Sequence, residues 1–238
     1  MGTVNCHCCF FALFHTYFFP PSRIASTRVQ YQMEPGMGSS GPHEIDGQAY
    51  REIQEAAERI RNARTRGDLG TILASEVERY SLFDLQVIGG RLNNEIDQLP
   101  SPYREAIRPF FREQIFGRYH ALLSMHRNGA FRSDHTCIRD SELFLKFCAI
   151  VPEGCFSWDD AAERNVLFRN PKNRLFYYLI AAFSMFVLEE PGHPVGMPFP
   201  GGFKVEQRGR DYYCLIRDRE KEVFFSICNF CPARQTEE

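Results

Sequence analysis

Apolar residues recur at helical spacing through most of the chain, and the texture changes only after Glu190. Between Glu44 and Arg66, Tyr50, Ile53, Ala57 and Ile60 fall three and four apart, which predicts an amphipathic helix with Gly67 placed to end it. Asp68 is the expected cap of a second helix, Leu69 to Tyr80. Ser81 and Asp84 make a capping-box pair ahead of Leu82, Leu85, Ile88, Leu92 and Ile96, which predicts a third. Ser101 and Pro102 are the expected cap and first turn of a fourth, running through Tyr103, Ile107, Phe110, Phe111, Ile115, Tyr119 and Leu122 with a bend at Pro109. Asp140 to Val151 reads as a helix with Leu143, Phe144 and Phe147 inward, and Trp158 to Asn165 as a short one capped by Ser157. Asn170 and Pro171 open the most apolar segment. From Leu175 to Leu188 there are 14 residues without a charge. That is short of the ~20 a membrane span requires and suits a central core helix.

After Glu190 the period is lost. Pro191 to Gly202 holds four Pro and four Gly in 12 positions, a turn-rich connection that no helix crosses. Beyond it, Phe203 to Arg208, Asp211 to Arg217 and Val223 to Cys228 are short runs rich in β-branched and aromatic residues, which predicts a small meander. The expected fold class is α+β, a mostly helical body with a small C-terminal β meander. Its expected divisions are a disordered leader and linker over 1–43, the body over 44–190, and a turn-rich, Cys-containing tail over 191–238 packed on the body. Met33 and Met37 precede the first helix, so the first 32 to 36 residues are expected to be an upstream extension that the folded protein does not use.

Composition narrows the function classes. The 28 basic and 30 acidic residues nearly cancel, so no field of one sign draws the chain to nucleic acid or an anionic membrane. The apolar stretch from Cys8 to Phe19 is too short for a span and lacks a basic start and a small-residue cleavage pattern. Nine cysteines, an odd number without a secretory signal, fit a reduced, cytoplasmic protein.

Three of those cysteines carry the one chemical expectation. Cys228 and Cys231 are a C-x-x-C pair, Cys214 lies 14 residues upstream, and His193 stands in the turn-rich loop. Two cysteines separated by two residues can present both thiolates to one tetrahedral ion, and neighbouring strands can add more ligands. If the last two strands form a hairpin centred near Lys221, Cys214 falls opposite Cys228, and His193 completes a Cys3His zinc site. Such a closed site implies a binding or structural role. The same residues admit three other readings: an iron–sulfur cluster, a redox dithiol, or small buried hydrophobes. The first two make the chain an enzyme or redox protein.

The stretch FYYLIAAFSMFVLEEPGHPVGMPFPGGFKVE, followed by DYYC and ICNFCPARQ, resembles uncharacterised protein family 0305 of methanogenic archaea, a domain of unknown function. The likeness is strongest from Phe176 to Gln235, weaker over the helices, and absent from residues 1–36. It implies that His193, Cys214, Cys228 and Cys231 recur together, in an anaerobe where exposed thiols and iron–sulfur clusters both survive. The resemblance carries no activity, substrate or partner.

Weaker signals lead elsewhere. Gly36, Gly38 and Gly41 spell G-x-G-x-x-G without the preceding strand and following helix that bind a pyrophosphate. Cys6, His7, Cys8, Cys9 and His15 stand in the leader, and His120, His126 and His135 share no helical face. Glu189 and Glu190 bring carboxylates near His193 as possible proton-transfer or orienting partners, or as an ordinary solvated helix end. Phe199 to Gly202 fits a type II turn.

Overall fold

In the computed structural model, residues 47–157 and 170–236 are described. The predicted helix Trp158 to Asn165 and the leader over 1–43 lie outside them. α1 spans Gly47–Arg61 and turns Ile53, Ala56, Ala57 and Ile60 to the interior. It ends earlier than the periodicity predicts because a new helix is capped almost at once. Thr65 accepts the amide of Asp68, and the Asp68 carboxylate accepts the amide of Thr65, so α2 (Arg66–Val77) opens with a capping box. Asp68 is therefore the third residue of the helix rather than its cap. Gly67 does not terminate a helix either. A Cβ there would meet the carbonyl oxygens of Phe131 and Asp134 within van der Waals distance, so glycine lets the 3₁₀ turn Ala130–Ser133 lie against α2.

α3 (Leu82–Asp97) has the predicted Ser81–Asp84 capping box. α4 (Tyr103–Arg112) begins without a side-chain cap, after a cis Ser101–Pro102 bond, so Ser101 does not serve the role expected of it. The helix passes through Pro109 into a π-helical segment, Glu113–Gly117, and continues as α5 (Arg118–Arg127). A proline removes one backbone donor and crowds the preceding turn, and a widened turn nearby accommodates the loss. α6 (Ser141–Phe156) starts one residue later than predicted, with Asp140 as its cap, and runs beyond Val151 through Pro152.

α7 (Pro171–Ala182) starts where Asn170 and Pro171 predict, with Asn170 as its cap, and is followed by a second π-helical segment, Phe183–Val187. All residues from Asn173 to Val187 are buried, with Phe176 and Phe183 fully so. At roughly 1.5–3 kcal/mol for each large side chain withdrawn from water, this segment is the energetic centre of the fold. α1, α2 and α6 pack around it. Among the described residues no helix is long and apolar enough to cross a membrane.

The tail differs from the predicted meander. Among the described residues only two strands form, β1 (Glu206–Arg208) and β2 (Asp211–Tyr213), antiparallel with Glu206 opposite Tyr213 and Gly209 at φ 65° in the turn. The third run, Val223 to Cys228, is not a strand. Its backbone groups are taken by other partners: Tyr178 Oη donates to the Phe225 carbonyl at 2.8 Å, Asn229 Nδ2 to the Val223 carbonyl at 2.9 Å, and Cys228 N to Ser226 Oγ at 3.3 Å. Arg217–Glu220 and Ile227–Phe230 are instead 3₁₀ turns. The outer side of β2 is taken by the chain's last segment, through Arg234 N to the Tyr212 carbonyl and Cys214 N to the Arg234 carbonyl.

Candidate functional site

The four residues singled out for metal binding all lie inside. His193 is buried and meets the Phe199 ring edge-on, with centroids 5.6 Å apart. Cys214 follows β2, while Cys228 lies within the last 3₁₀ turn and Cys231 follows it, joined by the bond from Cys231 N to the Cys228 carbonyl. The expected hairpin that would set Cys214 opposite Cys228 is replaced by pairing with Arg234.

The sulfur of Cys231 accepts the backbone amides of Gly192 and Ala233, so the turn-rich loop meets the C-x-x-C segment one residue from His193. Gly192 permits the approach: a Cβ there would lie 2.7 Å from Ile227 Cδ1. Convergence of the side chains is another matter. Among the described residues, no three His, Cys, Asp or Glu side chains gather closely enough to hold a metal ion.

Burial acts on three of the thiols. Burial pushes the Cys231 thiol above its ordinary value, although both amides and the Arg217 charge pull the other way. In the body, burial pushes Cys148 up to about 12 and raises Cys155 as well. None of the six described cysteines is in a disulfide, and Cys137 alone among them is exposed. A C-x-x-C pair at the start of a helix tends to have a depressed pKa, and Cys231 has the opposite setting.

Glu189 and Glu190 serve the loop's anchorage. Glu190 pairs with Arg118, and Glu189 lies 3.9 Å from Arg66 while its backbone takes φ 56° to turn the chain out of α7. Gly201 sits at φ 90°, as the third position of the predicted type II turn requires.

A second concavity escaped the motif reading. Between α1, α2 and the start of α7 lies a cleft of about 310 Å³ lined by Glu52, Arg59, Glu76, Arg79, Tyr80 and Lys172, among others. Glu76 is only 4% exposed, and Arg59 holds it through two bonds of 2.6 and 3.2 Å. A carboxylate falling on the apolar stripe Leu69, Leu73, Val77 was the available signal. Elsewhere, burial pushes the Glu95 carboxyl up to about 7 against the opposing charges of Arg91 and Arg174.

Residues 65–236 match the family described as an uncharacterized protein conserved in archaea (DUF2115). The chain belongs to this family. Its curated relatives come from methanogenic archaea, as the tail's resemblance implied. A UPF0305 protein of Methanothermobacter thermautotrophicus is 42% identical over 57 residues, covering 24% of this chain and 35% of that protein. One from Methanopyrus kandleri is 41% identical over 69 residues, covering 29% of this chain and 49% of that protein. The chain thus spans between a third and a half of the length of these two relatives. The likeness to a UPF0305 protein of Methanocaldococcus jannaschii is fainter and longer, 22% over 173 residues, covering 70% of this chain and 93% of the relative. No solved structure matches the chain.

Proposed function

We propose that this family member is a cytoplasmic protein with a binding or structural role, and that its tail is a closed structural unit. The carrying observation is the burial of every tail sulfur: Cys214 is 6%, Cys228 4% and Cys231 8% exposed. A redox or nucleophilic thiol needs thiolate at neutral pH and a route for its substrate. Burial of Cys231 works against both. Six described cysteines outside any disulfide fit a reducing compartment.

The finer part of the proposal is one zinc ion held by Cys214, Cys228, Cys231 and His193. Its support is the donor chemistry of the four residues and the Gly192 amide on the Cys231 sulfur. That bond keeps the His193 loop at the C-x-x-C segment and favours the thiolate a metal needs. As placed, the four donors do not converge, so uptake requires side-chain rearrangement. Four protein ligands leave no open position for water, hence a structural ion. An iron–sulfur cluster on the same thiols is the alternative, and it would make the chain a redox protein.

Metal analysis with an absorption spectrum, on full-length protein purified without oxygen, separates these readings. One equivalent of zinc and no colour supports the closed site, whereas iron with sulfide and a brown colour replaces it. No metal removes both and leaves a tail packed through its sulfurs. The structural role has its own test in Cys228→Ala, which is expected to lower the melting temperature. An unchanged melting curve would sink it.

A further inference from the structure

The first π-helical segment buries a polar atom that packing alone does not explain. Gln114 is only 3% exposed, and its Oε1 accepts a hydrogen bond from none of the described residues. Buried acceptors of this kind are few in native folds and cost stability. The other buried side chains of the run from α4 to α5, Ile107, Phe111, Ile115, Leu122 and Leu123, are all apolar.

What Gln114 faces follows from the contacts on either side of it. The run from α4 to α5 lies antiparallel to the turn-rich loop. Tyr103 Oη donates to the Pro198 carbonyl at 3.2 Å, a Cβ on Gly196 would lie 3.3 Å from the Phe110 ring, and Arg118 pairs with Glu190. Phe110, Gln114 and Arg118 are four residues apart and so are neighbours along one side of the helical run. Gln114 therefore faces the middle of the stretch between Glu190 and Gly196. Pro191 and Pro194 have no amide to give, Gly192 gives its amide to the Cys231 sulfur, and Val195 is apolar and 44% exposed. The one side chain of that stretch with a donor is His193, and it is buried.

A histidine that binds a metal through one ring nitrogen nearly always gives its other ring N–H to an acceptor, which fixes the tautomer and the direction of the ring. Gly192 ties the loop to the C-x-x-C segment on the tail side, and Gln114 stands on the body side. We propose that Gln114 is a positioning residue of the tail site: its Oε1 accepts the ring N–H of His193 and aims the other ring nitrogen at the ion. This role rests on the zinc reading given above. The side-chain rearrangement that uptake requires then has a fixed end point, the imidazole against Gln114.

The test compares full-length wild type, Gln114→Met and Gln114→Glu, purified without oxygen and titrated with zinc against a chromophoric chelator. Methionine keeps the length of the side chain and loses the acceptor, whereas glutamate keeps the acceptor. Gln114→Met is expected to have two effects of opposite sign. The metal-free protein should melt at the same or a higher temperature, because a buried acceptor without a donor is gone. Zinc should bind with unchanged stoichiometry and about 10- to 100-fold more weakly, the usual cost of losing such a partner. Gln114→Glu should hold zinc within about tenfold of wild type. In a His193→Ala background, Gln114→Met should leave the affinity unchanged, since the ring it positions is absent. Equal affinity in wild type and Gln114→Met overturns the positioning role and leaves the zinc site standing. So does a loss of affinity that is as large without His193 as with it. Wild-type protein that takes up no zinc overturns the zinc reading, and this role with it.

Discussion

The hydroxyl of Tyr178, on the central helix, reaches out of the body to the carbonyl of Phe225 in the tail at 2.8 Å. It gets there by passing over Gly154 of α6, where a Cβ would come within contact distance of both Oη and Cζ. Tyr178→Phe removes the donor and leaves a part-buried carbonyl without this partner, at an expected cost of about 1 kcal/mol in urea denaturation. Gly154→Ala should cost more, about 2 kcal/mol, through overpacking. In the Tyr178→Phe background the Gly154→Ala penalty should shrink. Strict additivity in this double-mutant cycle would show that the two residues do not compete for the same space.

Glu95 makes stability depend on pH. Its carboxyl is pushed up from the ordinary 4.5 to about 7 because it is withdrawn from water, with Arg91 2.8 Å away as partial compensation. A raised acid pKa means that the folded state prefers the protonated form, so its contribution is complete below pH 4.5 and is lost as pH rises through 7. The side chain keeps 22% of its exposure, so the loss is set at roughly 1–2 kcal/mol rather than the full value of the shift. Glu95→Gln should flatten the stability profile between pH 5 and 8, measured by urea midpoints at constant salt. A profile of unchanged slope would exclude Glu95 as its source.

The tail sulfurs predict a pattern of reactivity. In the native chain at neutral pH, alkylation read by peptide mass mapping should modify Cys137 and spare Cys148, Cys155, Cys214, Cys228 and Cys231 until urea is added. Rapid native labelling of Cys231 would contradict its burial and its raised pKa. Cys231→Val should destabilise by roughly 1–3 kcal/mol, because the Gly192 and Ala233 amides lose their acceptor.

Backbone constraints give two predictions of opposite sign. Gly67→Ala drives a methyl group into two carbonyl oxygens, neither of which belongs to a flexible side chain, and should cost several kcal/mol or prevent folding. Glu189→Gly removes a left-handed backbone angle unfavourable for a side chain, at the expense of a 3.9 Å contact with Arg66. Net stabilisation of up to about 1 kcal/mol is expected in thermal melts.

Legibility in the sequence followed the range of the interactions. The Ser81–Asp84 box, the helix starts near Asp140 and Asn170, and the apolar run from Leu175 to Leu188 are decided within one or two turns, and all were readable. The cap of α2 was misplaced because Thr65 and Asp68 both qualify, and only the reciprocal bond between them fixes which is first. The third strand failed for a long-range reason: residues 223–228 have strand composition, but Tyr178, about 47 positions earlier, takes a carbonyl that a ladder would use. The site was legible as residue types and not as geometry. Spacing gave no ground for placing His193 beside the C-x-x-C pair, and could not foresee that Arg234 would take the place beside Cys214 that a hairpin would have given Cys228.

The central helix has no face toward water: from Asn173 to Val187 it is enclosed by the body and by the tail. A helix of this kind cannot loosen one side while keeping the other, so its amide protons have no shallow route to solvent. Their exchange with deuterium must await the opening of the whole fold, and the slowest of those rates would measure the free energy that holds the entire molecule together.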